Sequence, residues 1–132
     1  MKIKILTMGL VCLIFIYCGT PIFQQTKLYP KSPESLFDQM TIVLQELGWR
    51  VKQSDKPSFF ISAEKLTSGE AFSAALSGQK NVHVVAINLI KKNGKTSVSI
   101  QVSQPGVIMK YSKVCEKLTN EILQKFEEQI KK

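Results

Sequence analysis

The chain of 132 residues has three cysteines, one histidine and one tryptophan. Two of those cysteines, Cys12 and Cys18, lie within the first eighteen residues, so Cys115 is the one thiol of the remainder. A lone thiol cannot form an intramolecular disulfide, and the folded part must therefore rely on a hydrophobic core; a cysteine-based zinc site is excluded as well. The sequence has no H-E-x-x-H, no G-x-S-x-G and no phosphate-binding glycine loop. His83 falls by strand parity on the same side as Val85 and Ile87, near the end of its strand, which predicts a packed or rim histidine rather than a catalytic base. Glu127 and Glu128 are neighbours on a helical segment, about 100° apart, so they do not converge as a catalytic carboxylate pair would and are expected on solvated surface. The inventory predicts a protein that is not an enzyme and has no cofactor or metal. Internal repeats and low-complexity runs are also absent.

What the chain does have begins at its N-terminus. Lys2 and Lys4 precede an uncharged apolar run from Ile5 to Tyr17, the order of a secretory signal. Thirteen residues are short for a membrane span; continuing the uncharged stretch to Phe23 gives nineteen, but puts Gly19 and Pro21 in the last turns of such a helix. Phe15-Ile16-Tyr17-Cys18-Gly19 resembles the lipobox of bacterial lipoproteins, departing from it at Tyr17, where a small residue is usual. The resemblance implies that residues 1–17 are a signal peptide, that Cys18 is acylated and that it becomes the new N-terminus. The alternatives are an uncleaved single-pass anchor with Cys18 as a small hydrophobe at the end of a membrane helix, and ordinary signal cleavage after Thr20. Each buried methylene of an acyl group contributes about 0.8 kcal/mol, so two or more chains hold a protein stably on a bilayer. Gly19, standing where some lipoproteins carry an inner-membrane retention acid, points to the outer membrane and the periplasmic side.

Residues 18–33 are then expected to be the lipidated cysteine and a tether. Pro21, Pro30 and Pro33 with Gln24, Gln25 and Lys27 make a stiff polar segment, in which Ile22, Phe23, Leu28 and Tyr29 are apolar exceptions that can dock on the domain. Residues 34–132 have room for one domain.

Acidic residues are outnumbered. Removing Lys2 and Lys4 from the 18 basic residues leaves 16 against 10 acidic, a net charge of +6. Export directs this charge to an envelope rich in anionic phosphate rather than to nucleic acid. Lys91, Lys92 and Lys95 cluster around one turn; such lysines keep strand edges soluble, and their sharper reading is a contact to anionic lipid or polysaccharide.

The periodicities predict an α+β fold in which a helix, a four-stranded antiparallel sheet and a C-terminal helix follow one another, with both helices on one sheet face. The first helix runs from Pro33 to Leu47, capped by Ser32 and stopped by Gly48, with Leu36, Phe37, Met40, Val43, Leu44 and Leu47 on its inner face. Trp49–Ser54 and Ser58–Glu64 read as strands around a three-residue turn, Asp55-Lys56-Pro57. That register sets Val51 opposite Ile61 and Trp49 opposite Ala63, and turns Arg50, Lys52, Phe60 and Ser62 the other way. Val82–Lys92 and Lys95–Ser103 form a hairpin on a type I′ Asn93-Gly94 turn; counting outward pairs Leu89 with Val98, Ile87 with Ile100 and Val85 with Val102 on an apolar face. Between the hairpins, Ser68 can cap a short helix containing Ala71, Phe72, Ala75 and Leu76. The closing helix spans about Lys110 to Lys131, with Cys115 in its buried stripe.

Leu47-Gly48-Trp49-Arg50-Val51, Asp55 and Phe60-Ile61-Ser62-Ala63-Glu64 resemble a pattern recurrent in small envelope lipoproteins, including the helix-grip domains of the β-barrel assembly lipoprotein. The resemblance implies a non-catalytic binding or scaffolding module. The sheet side opposite the helices, with Arg50, Lys52, Phe60, Ile90 and Gln101, mixes cations and apolar groups as a contact surface for an envelope protein or anionic lipid does.

Overall fold

The computed structural model describes residues 22–66, 82–104 and 113–132. In chain order they form β1 (Ile22–Tyr29), α1 (Pro33–Glu46), β2 (Arg50–Asp55), β3 (Phe60–Leu66), β4 (Val82–Lys92), β5 (Lys95–Ser103) and α2 (Lys113–Ile130). The strands make one antiparallel sheet in the order β1-β5-β4-β3-β2. The helices touch each other and the same side of the sheet, α2 over β1 and β5, α1 over β2 and β4. The fold is therefore α+β, but with five strands, and a strand rather than a helix comes first.

The added strand is the segment read as a tether. All eight residues of β1 pair with β5, from Ile22 opposite Ser103 to Tyr29 opposite Thr96. Its inward positions are Phe23, Gln25, Lys27 and Tyr29, and two of these are polar because they lie under α2, where Lys27 Nζ finds Glu127 Oε1 at 2.8 Å. Its outward positions include the apolar Ile22 and Leu28. With aromatic and polar residues mixed inside, and apolar and polar residues mixed outside, the strand lacks the alternation by which strands are recognised. Beyond it, Thr96 Oγ1 donates to the Lys31 carbonyl and Lys31 Nζ to that of Ile130, so the chain stays bound to the domain up to α1.

α1 follows its sequence signals. The Ser32 hydroxyl accepts from Ser35 N, Pro33 takes the first turn, and Gly48 adopts φ +80°, the left-handed stop that glycine occupies without steric cost. Leu36, Phe37, Met40, Val43 and Leu44 are buried. The β2–β3 connection departs from expectation. Its turn is Lys56–Phe59, and the pairs are Asp55 with Phe60, Val51 with Ala63 and Arg50 with Glu64, with a bulge between Val51 and Gln53. The cause is Phe59, which leaves the strand at φ 51° to set its ring edge-on to Phe37 at 6.2 Å and its carbonyl on the Leu89 N–H. The bulge absorbs the extra residue.

The β4–β5 hairpin has the expected register at every pair counted from the turn. Asn93 and Gly94 have φ 52° and 75°, as a type I′ turn demands. Val85, Ile87, Leu89, Val98, Ile100 and Val102 are buried beneath the helices. In α2, Cys115, Leu118, Ile122 and Phe126 face the core together with Thr119 and Leu123. The expected short helix after Ser68 and the expected start of the last helix at Lys110 lie outside the described residues, as do residues 1–17 and Cys18. Among the described residues no helix is long and apolar enough to cross a membrane.

Candidate functional site

Antiparallel pairing places directly opposed side chains on the same side of a sheet, so the registers define the face that the helices leave open. One row across it reads Ile22, Ser103, Val84, Glu64 and Arg50; the next Gln24, Gln101, Ala86, Ser62 and Gln53; the third Thr26, Ser99, Asn88, Phe60 and Asp55. Leu28, Ser97 and Ile90 form a fourth. The middle of this face is small and polar, with Ser99 Oγ held by Gln24 Nε2 at 3.0 Å, while large apolar side chains stand at the periphery. Ile90 is the most open of these at 62% exposure.

Arg50, Lys52 and Phe60 all belong to this open face, at its β2–β3 side. Arg50 stands opposite Glu64 in the register, and Lys52 Nζ lies 3.2 Å from Glu64 Oε1, so Lys52 is paired with that carboxylate and Arg50 is its neighbour. Phe60 is half-buried two rows away. The structure thus brings Arg50 and Lys52 together around Glu64 and holds Phe60 apart, about 13 Å along β3 at the usual rise per residue.

The other sequence candidates separate. His83 is fully buried on the helix-covered side, with Val85 and Ile87, as parity predicts. Cys115 is buried in α2. Lys91, Lys92 and Lys95 are exposed at the hairpin tip, where Lys92, Asn93, Lys95 and Leu28 border a shallow recess. Glu127 is the one clear reassignment: instead of facing water beside Glu128, it turns towards β1 and accepts from Lys27 Nζ at 2.8 Å and from Tyr29 Oη at 3.2 Å. The hydrogen bond from Lys27 holds its carboxyl below the usual value against a smaller opposing effect of burial. Burial, and then the Glu127 charge, push the Tyr29 hydroxyl far above its usual value, so it remains a neutral donor. Spacing misses this group because its members are separated by about a hundred residues in sequence. Its chemistry is that of a clasp between β1 and α2. Among the described residues no group of three or more His, Cys, Asp or Glu side chains could hold a metal ion.

No family model and no curated protein matches the chain. Among solved structures, Ara h 8.0201 is similar with a TM-score of 0.56 at 10% identity, covering 86% of this chain and 100% of that one. TTHA0849 from Thermus thermophilus gives 0.46 at 10% identity over 83% of this chain and 97% of its own. A DUF4468 family protein from Bacteroides ovatus gives 0.37 at 15% identity over 85% and 82%. The likeness to Ara h 8.0201 is one of fold.

Proposed function

We propose that this protein is a lipoprotein of the bacterial cell envelope, anchored through acylated Cys18, whose domain is a non-catalytic module that binds an envelope protein through the open face of its sheet. The location is the outer membrane, periplasmic side. The observation that carries the binding role is the division of the sheet: both helices cover one side, and the other displays Arg50, Lys52, Phe60 and Ile90 around a flat field of serine, asparagine and glutamine. Peripheral apolar groups with cations beside them suit a protein surface, where arginine and aromatic residues supply much of the binding energy. Among the described residues, Leu36, Met40, Ile100 and Phe126 are fully buried between the sheet and the helices, whereas the cations and Ile90 lie on the open face, which supports recognition at that surface.

A second reading, binding of anionic lipid or polysaccharide, is favoured by the exposed Lys91, Lys92 and Lys95 at the hairpin tip. Crosslinking in intact cells followed by affinity capture separates the two. Arg50→Glu combined with Lys52→Glu is expected to reduce the captured protein severalfold, with a fall in melting temperature of no more than a few degrees, since exposed ion pairs contribute about 0–1 kcal/mol. Unchanged capture by the folded double variant contradicts the open face as the binding surface. Loss of binding to anionic vesicles on replacing the three tip lysines instead selects the second reading.

A further inference from the structure

The strand at residues 22–29 changes the geometry of any N-terminal anchor. A tether from Cys18 to Pro33 would let the domain float well clear of the bilayer, whereas pairing begins at Ile22 and leaves three residues, 19–21, and so four Cα-to-Cα steps, between the acylated position and the sheet. Four such steps span at most about 14 Å. The headgroup layer on each side of a bilayer takes up roughly 5–8 Å of that. Ile22 is thereby confined to within about 10 Å of the headgroup surface.

The same end of the sheet carries suitable groups. Ile22 is 47% exposed and pairs with Ser103 at the end of β5. Leu66, 55% exposed, pairs with Val82 one outward-facing row further towards that end than Ile22. α2 has its final turns beside Lys27 and Lys31, which sets exposed Lys113 at its other end, on the Ile22 side. Exposed apolar side chains with a cation at one end of the sheet, the end from which the connections 67–81 and 105–112 also leave, fit the interface between headgroups and acyl chains. The Asn93-Gly94 turn follows the far end of β4, Lys92, which lies ten residues from Val82, or about 33 Å.

We infer that the domain seats end-on against the phospholipid surface through the sheet end bearing Ile22 and Leu66, with Lys91, Lys92 and Lys95 pointing away from the membrane. The inference rests on the proposed acylation of Cys18. The open face then stands perpendicular to the bilayer and is accessible to a partner from the side. In this orientation the tip lysines cannot serve as a contact to the membrane in which the protein is anchored.

The cysteine inventory allows a direct test. Cys12 leaves with the signal, Cys18 is acylated and Cys115 is buried, so one introduced thiol labels selectively. Full-length acylated Leu66→Cys and Lys92→Cys proteins, each labelled with a fluorophore, are reconstituted into phosphatidylethanolamine–phosphatidylglycerol vesicles containing a headgroup-nitroxide lipid. The expected result is severalfold stronger quenching at position 66 than at 92, and loss of that difference when sixteen glycine and serine residues are inserted after Gly19. Equal quenching at the two positions, as for a domain lying flat on its open face, overturns the orientation, and so does a difference that survives the insertion. An intact mass lacking acyl chains in the same preparation overturns the anchor itself, and the seating with it.

Discussion

Glu127 shows how a carboxylate on a helix surface becomes a fastening between elements once another element arrives beside it. Lys27 and Tyr29 reach it from β1, two residues apart and hence on the same side of that strand. Because the hydrogen bond from Lys27 lowers its folded-state pKa, the Glu127 contribution to stability is present above the unfolded carboxylate pKa and is lost as pH falls through the lower, folded value. The pair is about a third exposed, so water screens much of its effect. Glu127→Gln is therefore expected to lower the melting temperature near pH 7 by a few degrees and to have progressively less effect as pH falls through the folded-state value of the carboxyl. Melting curves recorded by circular dichroism across this range check it; an equal loss at both ends of the range would assign the effect to packing instead of charge.

At the scale of elements, β1 decides whether residues 22–29 belong to the domain or merely lead to it. Tyr29 is buried and its ring meets Phe126 edge-on at 5.4 Å, whereas its neighbour Leu28 points to solvent. Tyr29→Ala should cost about 3 kcal/mol, as other buried aromatic truncations do. Leu28→Ala should stay within about 0.5 kcal/mol of wild type, as most exposed substitutions do. Chemical denaturation of the two variants measures the contrast, and equal midpoints would return the segment to the status of a tether. The elements most legible in the sequence are those in which turn chemistry, pattern and register agree: α1 between Ser32 and Gly48, and the hairpin at Asn93-Gly94. β2 and β3 were legible as strands but not in register, because turn residues alone do not reveal that Phe59 gains more by packing on Phe37 than by staying extended. β1 was hidden because Gln25 and Lys27 face inward, and the partner that makes this tolerable, Glu127, is visible only after folding. The shared face of Arg50 and Lys52 followed from alternation, but the ion pair of Lys52 with Glu64 depends on the bulge between Val51 and Gln53, which alternation does not reveal.

The whole molecule is a two-layer body with one filled side, one open side and a chain that enters at a defined end of the sheet. The filled side supplies stability, the open side is the surface proposed for a partner, and the entry point fixes how far the domain can stand from whatever holds residue 18. The proposed function depends on the fate of the N-terminal segment: with acylated Cys18 the domain is a membrane-held module, and with no anchor at the N-terminus the short link from residue 18 to Ile22 has no consequence for orientation. The decisive measurement is intact mass spectrometry of protein extracted from the membrane fraction of cells expressing the full chain. The account predicts a species beginning at Cys18, without residues 1–17, and heavier than its peptide mass by attached acyl chains, together with loss of both changes in Cys18→Ala. A membrane-bound species that retains Met1, or one processed identically in Cys18→Ala, would contradict it.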